Sequence, residues 1–244
     1  MKTLVIIKAG STFPAIKQHL GDFEDWIIHA CAMPTEAVMV VDMEKTTALP
    51  PVASLSGVII TGSHAMLTDQ AAWMQVLLAW IPLVVGGQVP LLGICFGHQL
   101  LAQALGGRVG YHPQGREIGT VAVTLTQESR HDGLLGTLPQ VFMAHTTHAQ
   151  TVTALPATAL RLAGNAFEAN HAFRVGDCAW GVQFHPEFSA DIMKAYVDGQ
   201  AEPLLNEGYS LATLHGAIIE TGAANALLKR FADSVQSPIP HGQH

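Results

Sequence analysis

Cys95 sits in the pentapeptide Gly93-Ile94-Cys95-Phe96-Gly97, where an apolar run over residues 89–94 gives way to a helical pattern over residues 97–105. A strand, a sharp turn and a helix in that order form the setting of a nucleophile elbow. Glycine on either side lets the chain turn tightly and lets the strand and helix backbones approach. At the mouth of a helix, unpaired N–H groups and aligned peptide dipoles favour a thiolate. A second group, Phe184-His185-Pro186-Glu187, places a base and a carboxylate two residues apart. In extended backbone such residues share one side, so Glu187 is placed to orient the imidazole. A thiolate attacking an amide needs this partner, because the departing nitrogen must be protonated before it leaves. Cys31 and Cys178 lack the flanking glycines and read as small buried residues.

The elements around these groups follow from apolar periodicity. Short apolar runs at residues 4–7, 38–41, 58–60 and 89–94 are separated by segments long enough for crossover helices, which predicts a parallel sheet covered on both faces. Residues 71–85 read as a helix, and residues 97–105 as another that ends at Gly106 and Gly107. Beyond residue 116 the texture changes to β-type runs at 119–126 and 151–153, punctuated by Pro139 and Pro156, before an aromatic strand at 178–184. This half is expected to extend the sheet with antiparallel strands. Residues 190–196 and 223–235 read as helices, and the polar tail 236–244 is expected to fray. No internal repeat and no domain linker is visible.

Composition narrows the function further. The 244 residues carry 12 basic and 19 acidic side chains, a formal charge of -7, with no basic patch of the kind that phosphate backbones require. Nucleic acid is therefore not expected as a partner. Three widely spaced cysteines fit a reducing compartment, so the cytosol is the expected location. The apolar run 4–7 lies between Lys2 and Lys8 and is too short for a signal peptide. The most hydrophobic region, 80–105, is broken by Pro82, Gly86, Gly87, Pro90 and Gly93, so no membrane span is expected. His145 and His148 have the spacing of a helical metal pair, but their segment reads as strand and turn without a third ligand, so no metal is expected. His98 reads as a packing or lining residue. The apolar residues Leu204, Leu205, Leu211, Leu214, Ile218, Ile219, Leu227 and Leu228 are expected to pack on the same domain.

Together these residues resemble the class I, or triad-type, glutamine amidotransferases, particularly the branch similar to the glutaminase domain of GMP synthetase. Gly93-Ile94-Cys95-Phe96-Gly97-His98-Gln99 is similar to the family's nucleophile motif, and Gly181-Val182-Gln183-Phe184-His185-Pro186-Glu187 to its triad-completing motif. The resemblance covers residues 1–200 and leaves 201–244 as a C-terminal helical extension. It implies an α/β fold, a flavodoxin-like three-layer sandwich whose mainly parallel central sheet is extended by antiparallel strands. It also implies a Cys95, His185 and Glu187 triad acting without metal or organic cofactor. Ile60-Thr61-Gly62-Ser63-His64 is similar to the family's Gly-rich oxyanion turn, although many members have Gly-Gly-Pro at the last three positions. The implied oxyanion donors are the backbone N–H groups of Ser63 and Phe96.

Gly62, Gln99, His148 and Gln150 match positions that help hold the substrate. Thr147-His148-Ala149-Gln150-Thr151-Val152 departs from the family's Ser-His-x-Asp-x-Val by placing a neutral amide where the carboxylate stands. That change weakens a salt bridge to a substrate amino group. The implied substrate is glutamine or another γ-glutamyl compound. No G-x-x-x-x-G-K-[ST] loop occurs, so an ATP-dependent step that consumes the ammonia is expected on another chain, a synthetase acting in trans. Two other readings stay open. One is a γ-glutamyl peptidase with the same triad, and the other is an idle binding or regulatory protein, against which the intact triad speaks.

Overall fold

The computed structural model describes residues 2–236; the tail 237–244, for which fraying is expected, lies outside the described residues. In chain order the first half comprises β1 (Thr3–Lys8), α1 (Pro14–Leu20), α2 (Phe23–Cys31), β2 (Val38–Asp42), β3 (Leu55–Ile60), α3 (Ala72–Gly86), β4 (Leu91–Ile94) and α4 (Phe96–Ala104). The second half comprises β5 (Arg108–Tyr111), β6 (Glu117–Leu125), β7 (Val141–His148), β8 (Gln150–Ala154), β9 (Ala159–Gly164), β10 (Ala172–Val175), β11 (Ala179–Val182), α5 (Ala190–Gly199), α6 (Ala201–Asn206), α7 (Leu211–Ala217) and α8 (Gly222–Gln236).

Nine strands form the main sheet in the order β2-β1-β3-β4-β11-β10-β9-β6-β7. Strand β1 explains the layering. Leu4 and Ile6 point to one face and pack with Ile27 of α2 and Leu227, Leu228 and Phe231 of α8. Val5 and Ile7 point to the other face and pack with Leu77, Ile81 and Val84 of α3 and Leu100 of α4. An uninterrupted apolar run is what a strand covered on both faces requires. The result is the flavodoxin-like three-layer sandwich that the resemblance implies.

The second half differs from its sequence reading in two ways. Strands β10, β9, β6 and β7 are antiparallel to their neighbours, as expected, but β11 pairs parallel with β4, with Val182 opposite Ile94. A tight turn with Gly176 at φ +57° folds β11 back on β10, and the other edge of β11 then docks on β4. Residues 151–153 leave the main sheet: they lie in β8, which pairs with β5 in a separate two-stranded sheet.

Helix α8 presents Ala224, Leu227, Leu228, Phe231 and Ala232 to the core at helical spacing. Gly57 of β3 makes room for it, since a Cβ there would lie 2.6 Å from Val235. No helix among the described residues is long and apolar enough to cross a membrane.

Candidate active site

Cys95 lies between β4 and α4 with φ +49° and ψ −99°. That positive φ is strained for an L residue, by about 1–3 kcal/mol, and persists only where the surroundings fix it. Here the Cys95 N–H donates to Val182 O at 2.8 Å, and Gln99 N–H donates to Cys95 O at 3.1 Å. The flanking glycines are required. A Cβ on Gly93 would stand 2.3 Å from Gly97 O, and one on Gly97 would stand 2.5 Å from Ile60 O.

Because β11 runs parallel to β4, both chains leave the sheet at the same edge, and His185 arrives beside Cys95. The backbone there is a turn closed by Phe188 N–H on His185 O at 3.3 Å, and not the extended segment assumed from spacing. Pro186 sets that turn, and Glu187 still meets the ring, with His185 Nδ1 donating to Glu187 Oε1 at 2.7 Å. Phe188 stacks on the imidazole at 4.1 Å, with Phe23 parallel to it at 6.3 Å. Nε2 has no hydrogen-bond partner among the described residues, and Cys95 and His185 line the same cleft. Burial opposes the imidazolium, but Glu187 and then Cys95 outweigh it and push His185 up to about 10.

The sign of the linked stability follows. Folded His185 holds its proton more tightly than the unfolded chain does, so the contribution is complete below pH about 6.5 and fades as pH rises toward the folded value. Unfolding free energy is expected to decline over that alkaline window, and His185→Gln should flatten the decline. An unchanged slope in the variant would assign it to other groups.

Gln183, which sequence reasoning quoted but gave no role, donates from Nε2 to Cys95 Sγ at 3.4 Å. A donor aimed at sulfur stabilises negative charge there. Its amide is oriented by Gln99, whose Nε2 donates to Gln183 Oε1 at 3.1 Å and to Gln150 O at 2.9 Å. The available signal was position: Gln183 stands two residues before His185 in the same segment.

Ser63, Cys95, Phe96, Gln99, His148, Gln150 and His185 all line one cleft of about 200 Å³. Phe96 is the first residue of α4, so its N–H is one that the helix leaves unpaired. Gly62 is not in the cleft wall. It is a spacer, since a Cβ there would lie 3.0 Å from His185 Cε1. Gln150 accepts from Leu67 N–H at 3.0 Å and donates to Thr68 Oγ1 at 2.7 Å, so its side chain holds the wall together. His148 is fixed likewise, with Nδ1 2.8 Å from Gln150 O and Nε2 3.2 Å from Glu117 Oε2.

His145 and His148 are three apart on a strand and therefore face opposite sides. His145 turns to Thr120 Oγ1 at 3.2 Å, and burial followed by the charge on His185 holds it down to about 4. His98 packs on Phe173 with ring centroids 4.8 Å apart, and burial keeps it neutral, at about 3. His64 adjoins Ser63 in the Gly-rich turn, whereas Arg116, Tyr196 and Gln200 come from distant segments and had no local signal.

The description "Glutamine amidotransferase class-I" belongs to the family model that matches residues 20–197. A GMP synthase [glutamine-hydrolyzing] of Porphyromonas gingivalis is 37% identical over 137 residues, covering 55% of this chain and 25% of that protein. The chain thus spans about a quarter of the length of this curated relative. Gamma-glutamyl peptidase 3 of Arabidopsis thaliana is 28% identical over 145 residues, 58% of each chain. The crystal structure of a glutamine amidotransferase from Thermotoga maritima superposes with a TM-score of 0.77 at 20% identity, over 97% of this chain and 99% of that one, which shows the shared fold.

Proposed function

This chain belongs to the class I glutamine amidotransferase family, and from that premise we propose that it hydrolyses the side-chain amide of glutamine through a thioester on Cys95, giving glutamate and ammonia. The observation that carries the reading is the buried Cys95, His185 and Glu187 group at the carboxyl ends of β4 and β11, with the Gln183 amide on the sulfur.

The Cys95 thiolate adds to the carboxamide carbon, and the backbone N–H groups of Ser63 and Phe96 receive the oxyanion; one such donor is typically worth about 10² to 10³ in rate. The His185 imidazolium protonates the nitrogen, the C–N bond breaks and ammonia departs. Neutral His185 then takes a proton from water as it attacks the thioester, and returns it to the sulfur as glutamate leaves. Glu187 holds the imidazole throughout. Every step uses groups of this chain, substrate and water.

In the same reading residues 1–200 form the catalytic domain, and 201–244 are an extension whose described part, 201–236, packs on it. The ammonia passes to a synthetase acting in trans, a reading supported by the similarity to a glutamine-hydrolysing GMP synthase. Cys31, Cys95 and Cys178 are all free and buried, which suits the cytosol.

A second reading is cleavage of a γ-glutamyl peptide, favoured by the match to Gamma-glutamyl peptidase 3 over the same share of both chains. Incubation with glutamine or with γ-glutamylglycine, the Cys95→Ala protein serving as blank, separates the two. Ammonia released faster than glycine supports amide hydrolysis, and glycine released faster supports the peptidase. Release of neither, or equal release from the blank, would remove both.

The extension reaches the site through Asn225 of α8, whose Nδ2 donates to Pro186 O and Phe188 O, each at 2.8 Å. These bonds pin the turn that carries His185 and Glu187. Asn225→Leu keeps the size but removes both bonds, and is expected to cost about 1–3 kcal/mol in urea unfolding. The loosened turn should also lower kcat about tenfold with KM nearly unchanged. A variant that is destabilised but has full kcat would show that α8 serves the fold alone.

A further inference from the structure

The wall of the cleft contains one guanidinium, that of Arg116, and no carboxylate among the described residues. Arg116 has five N–H donors, and the chain uses three of them. Nε and Nη2 donate to the two oxygens of Glu207, each at 3.1 Å, and Nη1 donates to Gln200 Oε1. Gln200 is itself fixed, its Nε2 donating to Thr147 Oγ1 at 3.2 Å, and the Tyr209 hydroxyl donates to Arg116 O. The guanidinium is therefore clamped by Gln200, between α5 and α6, and by Glu207 of the segment after α6. One N–H each on Nη1 and Nη2 has no partner among the described residues, Arg116 lines the cleft, and a guanidinium N–H pair is the partner that a carboxylate fits.

Among the described residues no free carboxylate faces the cleft to meet an ammonium group. Glu187 is engaged with His185, Glu207 with Arg116, and Glu117 with His148 and Asn165. Two backbone carbonyls of the wall are engaged as well. Gln150 O accepts from His148 Nδ1 and Gln99 Nε2, and Ala149 O accepts from His112 N–H. Desolvating an ammonium without a partner is costly.

We propose that this site selects the terminal carboxamide of a short carboxylic acid, held by its carboxylate on Arg116, and that it is indifferent to an amino group on the α-carbon. Glutaramate, which is glutamine without that amino group, then binds as well as glutamine. This rests on the amide-hydrolysis reading above, so the test measures binding and turnover separately.

Calorimetric titration of the Cys95→Ala protein keeps each ligand intact. Glutaramate is expected to bind within about threefold of glutamine, and γ-aminobutyramide, which lacks the carboxylate, about 10- to 100-fold more weakly. Arg116→Gln should weaken glutaramate by a similar factor. Glutamine binding tenfold or more tightly than glutaramate, γ-aminobutyramide binding as well as either, or no binding by any of the three would each overturn the proposal. Ammonia release from the same amides by the protein with Cys95 intact addresses the underlying chemistry. Binding in the expected order without Cys95-dependent release would sink the hydrolysis reading alone, and release with glutamine preferred tenfold would sink the carboxylate-only selection alone.

Discussion

Cys95→Ala is expected to abolish amide hydrolysis, with kcat falling about 10⁵-fold or more, toward the uncatalysed background. The step lost is formation of the thioester, and no neighbouring group replaces it. Cys31 is buried against α8, where its sulfur meets Leu228 O at 3.6 Å, and burial raises its thiol to about 12. Burial, with the charge of Asp177, likewise raises Cys178. Neither stands in the cleft. His185 and the oxyanion N–H groups survive the substitution, but without a nucleophile they can only assist water. Cys95→Ser should be nearly as inactive, because a hydroxyl does not hold the anion that His185 and Gln183 are arranged to face. The check is glutamate release at saturating glutamine from variants whose unfolding midpoints match the wild type.

Asp22→Ala should be the most destabilising of the single substitutions described, at about 3–5 kcal/mol, the cost of removing one member of a buried ion pair. Asp22 is the N-cap of α2 in a capping box with Asp25. Its Oδ1 accepts from Thr12 N–H at 2.8 Å and Phe23 N–H at 2.9 Å, and its Oδ2 meets Lys8 Nζ at 2.6 Å and Lys17 Nζ at 2.9 Å. Lys8 is only 3% exposed and would keep Glu24 alone, at 2.5 Å. Burial opposes the charge on Asp22, but Lys8, Thr12, Lys17 and Phe23 outweigh it and hold the carboxyl well below the usual carboxylate range.

Because the folded value is depressed, the contribution of Asp22 is complete above pH about 3.9 and is lost as pH falls below that. Urea unfolding should therefore separate wild type from variant fully at neutral pH and let them converge in acid. Asp22→Asn, which keeps both backbone acceptor bonds, should fall between. Phe23 follows Asp22 directly and lies parallel to the His185 ring, so the loosening should also lower turnover. An Asp22→Ala protein as stable as the wild type would mean that the cluster is no better than neutral.

The difference between what was legible in the sequence and what was not is one of range. The elbow was legible because every requirement is local: glycine where backbones touch, an apolar run before Cys95 and a helical pattern after it. The buried strands 4–7 and 58–60 were legible because burial on both faces demands unbroken apolar residues. The direction of β11 was not, since four apolar residues read alike in either sense and only the docking on β4 decides it. Pro186 carried a signal for the turn that the assumption of extended backbone overrode. Gly62 matched a family position that helps hold the substrate, and the room its missing Cβ leaves for His185 was not legible. Arg116, Gln200 and Glu207 meet across 84 and 91 residues of chain, and no spacing rule reaches that far.

The most direct measurement of the central claim is the intact mass of the protein quenched during turnover of glutamine, followed by mapping of the modified peptide. The expected result is a fraction of the wild type heavier by glutamine less ammonia, with the adduct on Cys95, and no adduct and no glutamate release in Cys95→Ala. An adduct on another residue, or undiminished turnover by Cys95→Ala, would contradict it.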